Sequence, residues 1–224
     1  MSIKFLKTRT NLRLDSDAQK TPSHPRVSRT IWILLRTMVA VAVALIFALF
    51  GYGCASMPAG TGTVALTTPC DDCLRGVKNF AKVSPALWRG SQPTAEGFQN
   101  LEKSGVRTVV NFRHFHDDTK LLTGTKLKYV WIPMSPFNPT EDDLIPFFRV
   151  IQDPENWPVY VHCWKGNDRS GFYVAAYRIV VDRWGADDAI REMFQFHYYP
   201  IWFRIPIVLR NLDIEKLRAR IAAP

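Results

Sequence analysis

The chain has 224 residues, 47% of them hydrophobic and 22% charged, with a formal net charge of +9 and four cysteines. That balance excludes general disorder, and four cysteines are too few for a fold built on disulfides. A basic excess points to nucleic acid or to a membrane, and its location decides between them.

In the first 36 residues, Lys4, Lys7, Arg9, Arg13, Lys20, Arg26, Arg29 and Arg36 face only Asp15 and Asp17. This segment therefore carries +6, and +3 remains for the other 188 residues. The rest of the chain is nearly balanced, which removes the main support for a nucleic-acid partner. Ile31–Leu35, Arg36 and the wholly apolar Met38–Phe50 follow the basic tail. Counted to Gly53, this gives about 23 residues, enough to cross a bilayer, with Arg36 able to snorkel to the headgroups. Positive charge before the span predicts residues 1–30 as a cytoplasmic tail and 31–53 as a signal-anchor helix. The remainder is then expected on the periplasmic side of the membrane. Cleavage near Gly53–Ser56 and lipidation of Cys54 are the alternatives. Phe50-Gly51-Tyr52-Gly53 fits the Leu-containing box of a lipoprotein poorly.

Residues 54–75 are small, polar and rich in Gly, Pro and Thr, and read as a linker. Within it, Cys70-Asp71-Asp72-Cys73 reads as a local disulfide in an oxidising compartment. Zinc would need a second Cys/His pair, and none has suitable spacing, so no metal or cofactor is expected.

Residues 76–224 alternate strand and helix patterns, which predicts an α/β domain with a central sheet flanked by helices. Short β-branched runs place strands at Ala86–Arg89, Arg107–Phe112, Lys128–Ile132 and Pro158–His162. Thr94–Ser104 is a helix with Phe98 and Leu101 inward and Gly105 as its stop. Thr140 and Asp143 form a capping-box pattern ahead of Leu144, Phe147, Phe148 and Ile151, which share one helical face. Helices are also expected over Arg169–Arg183, about 187–196 and about 206–220. The aromatics of Phe194–Leu209 suit packing between the last two helices, or contact with a membrane face.

The chemistry concentrates in His162-Cys163-Trp164-Lys165-Gly166-Asn167-Asp168-Arg169-Ser170-Gly171. A short loop between a strand and a helix start offers free amides and a positive dipole end, which is an anion cradle. A nucleotide P-loop would need Lys-Ser/Thr after the second glycine, and Phe172-Tyr173 stand there. Free amides and Arg169 would favour a thiolate at Cys163, and a guanidinium grips two phosphoryl oxygens at once.

The string HCWKGNDRSG resembles the His-Cys-x5-Arg-Ser/Thr-Gly signature of cysteine-dependent tyrosine and dual-specificity phosphatases. LWRGSQPTAEGFQNLEKSGVRTVVNFR (87–113) is similar to a pattern of bacterial and fungal atypical dual-specificity phosphatases. The resemblance implies the phosphatase-type fold, with Cys163 as nucleophile and Arg169 as phosphate clamp. It implies that Ser170 hydrogen-bonds the sulfur and that His162 holds the loop. Trp164, Lys165, Gly166 and Asn167 would complete the phosphate loop. Loop lysines in relatives that take phosphoinositides make Lys165 a pointer to polyanionic substrates. The general acid is expected at Asp168, as in myotubularins, with Glu141, Asp142 and Asp143 as the alternative in a loop-plus-helix start. His114, His116, Asp117 and Asp118 read as a solvated polar loop. Expected substrates are phosphorylated protein, or a phospholipid or inositol phosphate. The competing readings are a pseudophosphatase that binds without turnover and a rhodanese-type sulfurtransferase.

Overall fold

The computed structural model describes residues 64–223. The tail, the expected span and the alternatives at Cys54 lie outside the described residues. Among the described residues no helix is long and apolar enough to cross a membrane.

Five strands form one sheet: β1 Ala81–Lys82, β2 Leu87–Gly90, β3 Thr108–Asn111, β4 Lys128–Trp131 and β5 Val159–His162. Their order is β1-β2-β5-β3-β4. β1 pairs antiparallel with β2, and every other pairing is parallel. Helices α1 Ala95–Lys103, α2 Leu144–Gln152, α3 Asp168–Val180, α4 Ala186–Gln195, α5 Arg204–Arg210 and α6 Ile214–Ala222 pack around it.

Alternation along the strands divides the core in two. Leu87, Val110, Val159 and Val161 face one hydrophobic cluster with Leu144, Phe147, Phe172 and Ala176. Trp88, Val109 and Tyr160 face a second, built on Phe98 and Leu101 of α1. Parallel strands buried on both faces read as continuous apolar runs, which is why RTVVNF and PVYVH announce them.

α1 begins as the sequence predicts. The Thr94 side chain accepts from the Gly97 amide, and Gly105 follows the helix at φ +99°. Before α2, Asp143 Oδ2 accepts from the Thr140 amide (2.7 Å) and hydroxyl (2.9 Å), but the helix itself starts only at Leu144. The expected C-terminal helix is two helices. The chain breaks at residues 211–213, and Asp213 caps α6 by accepting from the Lys216 amide.

The segment read as linker differs from expectation at its end. Glu192 Oε1 accepts from the Thr67 amide (2.9 Å) and hydroxyl (2.6 Å). Cys70 and Phe80 exchange backbone hydrogen bonds, and Cys70 and Cys73 are joined as a disulfide. From Thr67 onward the chain is part of the folded unit. Composition alone missed this because the partners lie far along the sequence.

Candidate active site

β5 delivers His162 and Cys163 to the carboxyl edge of the sheet, and α3 starts five residues later at Asp168. In between, the loop's carbonyls are tied outward. Trp164 O accepts from the Gln92 amide (2.9 Å), Lys165 O from Asn79 Nδ2 (3.1 Å) and Gly166 O from Arg89 Nη2 (2.7 Å). Among the described residues no backbone carbonyl takes the amides of residues 164–170. Peptide carbonyls and amides point opposite ways, so anchoring the carbonyls outside turns the amides inward over Cys163. Unpaired amides at a helix start are able to hold an anion.

Gly166 makes the tight wrap possible. It sits at φ +77°, and a Cβ there would lie 2.4 Å from Gly90 O. Asn79 is itself left-handed at φ +52°. Its amide donates to Asp71 Oδ1 (2.8 Å), and its Nδ2 also reaches Asn167 Oδ1 (3.0 Å). Asn167 Nδ2 in turn donates to His197 O (2.8 Å). Arg89 is fully buried, stacked on Phe196 at 3.8 Å. Burial pulls its guanidinium down to about 10, against the pull of Glu192 and Cys163. The sequence marked neither Asn79 nor Arg89 as site residues. Their signal is three-dimensional: both act on a loop some eighty positions away.

Cys163 is a free, buried cysteine. His162 Nδ1 donates to Cys163 O (3.0 Å), since that oxygen can only accept. The bond ties the histidine ring to the first peptide of the loop. His162 Nε2 stands 2.9 Å from Asp118 Oδ2, although the two are off hydrogen-bond alignment. Asp118 is fully buried and also accepts from Gln92 Nε2 (2.8 Å). The solvated-loop reading of Asp118 is therefore corrected: its neighbours Asp117 and His114 are exposed, but it packs behind the histidine. Ser170 Oγ is buried without a hydrogen-bond partner among the described residues, so the bond to sulfur implied by the resemblance is not formed here.

A cleft of about 460 Å³ opens beside Arg169, lined also by His114, Phe115, Phe137 and Trp202. Arg169 has no ion-pair partner among the described residues, leaving its fork available to an oxyanion. A second guanidinium, Arg113, lies in the field of Asp118, Arg169 and Cys163; burial is the main cause that lowers its pKa. Trp164 is 62% exposed, so it belongs to the rim and not to the sheet. Lys165 Nζ stands 5.4 Å from the Tyr199 ring and 5.7 Å from the Trp164 ring.

The acid candidates separate. Asp168 Oδ1 accepts from the Tyr199 amide (2.8 Å). Burial raises its pKa, against hydrogen bonds from Tyr199 and from Trp202, which lines the cleft. Asp142 is paired with Arg220, Glu141 Oε2 accepts from the Asp213 amide (3.2 Å), and Asp143 holds Thr140. Those three are committed to α6 and to the entry of α2.

The comparisons agree with this architecture. The model of a family described as "DSP-PTPase phosphatase fused to NAD+ Kinase" matches residues 71–197. The chain belongs to that family of cysteine-dependent, dual-specificity-type phosphatases, and not to the rhodanese class. It is similar to the dual specificity protein phosphatase TpbA of Pseudomonas aeruginosa, at 34% identity over 116 residues. That match covers 51% of this chain and 53% of the relative. It is also similar to inositol diphosphatase DSP2 of Oryza sativa, at 31% over 108 residues, covering 45% and 53%. The chain thus spans about half the length of these curated relatives. The crystal structure of P. aeruginosa TpbA superposes with a TM-score of 0.60 at 28% identity, covering 71% of this chain and 98% of that one. TpbA in complex with pTyr gives 0.57 at 29%, covering 65% and 91%.

Proposed function

We propose that the chain hydrolyses phosphate monoesters through a phosphocysteine intermediate. The observation that carries this reading is the loop from Cys163 to Arg169, with its carbonyls tied outward and its amides free. A phosphoryl group seated there meets the loop amides and the Arg169 fork, which stabilise charge on its equatorial oxygens. The Cys163 thiolate attacks phosphorus in line. The S–P bond forms, the P–O bond to the leaving group breaks, and a proton passes to the leaving oxygen. Asp168 supplies that proton, since burial lets it keep one to higher pH than an exposed carboxylate. Water then attacks phosphorus, the S–P bond breaks, and rotation of the Ser170 hydroxyl steadies the departing thiolate. His162 and Asp118 orient the loop from behind.

The named activities of relatives suggest the substrate classes: phosphotyrosine for TpbA, whose structure holds pTyr, and an inositol diphosphate for the rice relative. We further read residues 31–53 as a membrane anchor, with the phosphatase unit on the periplasmic side. A soluble fragment of residues 62–224 is expected to hydrolyse an aryl phosphate without added metal, to be inhibited by vanadate, and to lose turnover in Cys163→Ser. Equal rates in the two proteins would overturn the mechanism. Binding-only behaviour is the second reading. It draws on the commitment of Glu141, Asp142 and Asp143 elsewhere, and trapping a phosphocysteine in an acid quench excludes it.

A further inference from the structure

The described surface carries eleven large exposed hydrophobic side chains; Phe115 and Phe137 line the cleft, and Trp164, Tyr199, Ile201 and Phe203 lie on the two segments that bear its Arg169 and Trp202. Contacts join some of them, and chain adjacency brings Ile201 and Phe203 beside Trp202. Phe115, Phe137 and Trp202 line the cleft with Arg169, and the Phe137 and Trp202 rings meet edge to face at 4.6 Å. Tyr199, Ile201 and Phe203 flank Trp202 in sequence, and Lys165 spans between the Tyr199 and Trp164 rings. The same segment buries Phe196 and Tyr198 in the core, so the aromatics expected to pack divide into an inward and an outward set. Apolar side chains exposed by 49–93% on neighbouring segments are the kind of feature that marks an interaction surface.

We propose that this rim docks on a bilayer surface containing anionic lipid and turns the cleft toward it. Charge fits that occupant. Lys165 and Arg169 lie at the rim and the exposed Arg204 follows Phe203, against the half-buried Asp168, whose carboxylate is engaged by the Tyr199 amide. Aromatic rings with interspersed basic groups suit the headgroup boundary. The tether fits as well, and this part rests on reading residues 31–53 as a span. Thr67 is bound to Glu192, two residues before the exposed Phe194. Fourteen residues from Gly53 to Thr67 reach at most about 50 Å when fully extended. The domain would therefore stay within about 50 Å of the lipid.

The test uses residues 62–224, a compact unit with its own core that covers nearly all of the solved TpbA chain. Without the span, any binding reads the rim alone. The fragment is expected to sediment with phosphatidylcholine–phosphatidylglycerol vesicles, less so as salt rises. The double variant Ile201→Ser/Phe203→Ser should lose about tenfold or more in vesicle affinity. It should keep the wild-type circular dichroism. Absence of cosedimentation, or unchanged binding in a folded double variant, overturns the proposal. So does self-association of the fragment that the variant abolishes without any vesicle binding, which assigns the rim to a second copy. Because no turnover is read in the binding step, a failed phosphatase assay and a failed docking assay remain distinguishable.

Discussion

Asp168 and Asp142 carry the same functional group into opposite surroundings. Burial raises the pKa of Asp168, whereas the Arg220 hydrogen bond and charge hold the exposed Asp142 below the ordinary carboxylate value. A general acid must be protonated to act, so the loss of its proton draws the basic limb of the rate profile. Asp168→Asn is expected to flatten that limb and lower kcat, while Asp142→Asn leaves it in place. A pH–rate series on both variants decides; loss of the limb in Asp142→Asn alone would reverse the assignment. Cys163, Arg169 and Ser170 were legible in the sequence because their spacing along one loop is itself the signal. Asp118 was not, because neither its burial nor its approach to His162 leaves a mark at residues 114–118.

The strap of residues 70–80 works on the phosphate loop from outside. Asp71 fixes the Asn79 backbone, and the Asn79 side chain holds Lys165 O and Asn167 Oδ1. Asn79→Gly keeps the left-handed backbone at no steric cost and deletes the donor. It is expected to lower kcat/KM about 10- to 100-fold, since slight misplacement of a positioned group costs that much. The melting temperature should change little, and an unaltered kcat/KM would dismiss the strap as a support. The long strands and α1 were readable because alternation and caps are local. β1, two residues long, gave no pattern to read. The split between α5 and α6 was hidden because the apolar period runs on through Leu212, while Asp213 alone marks the new start.

At the scale of the whole molecule, the buried Arg178 joins three distant pieces of chain. It pairs with Glu192 (2.9 Å) and Asp182 (2.8 Å), and Thr67 completes the Glu192 shell. Burial pushes the Glu192 carboxyl up, but hydrogen bonds from Arg178 and Thr67 outweigh it and hold its pKa below the ordinary value. A fragment begun at residue 76 loses the Thr67 donors and the Cys70–Phe80 pairing. It should be less stable than residues 62–224 by about 2–4 kcal/mol, measured by urea unfolding. A lowered carboxyl contributes stability above its unfolded value and loses it as pH falls through the folded one. The Glu192 contribution to this gap should therefore fade below the ordinary glutamate value of 4.5. Equal urea midpoints at neutral pH would show that residues 62–75 are dispensable.

The sheet register has a further consequence. Gly90, His162 and Asn111 stand side by side as the last residues of β2, β5 and β3. The phosphate loop and the segment bearing His114 and Phe115 depart from this row, and Met134–Phe137 after β4 and Trp202 after α4 close the cleft from beside it. Exchanges at Phe115 or Phe137 can therefore redraw what enters the cleft, whereas Asp118, Phe196 and His197 on the same stretches also brace the loop that holds the sulfur. Relatives sharing the loop need not share a target, but the drift is confined to the outward side chains of these segments.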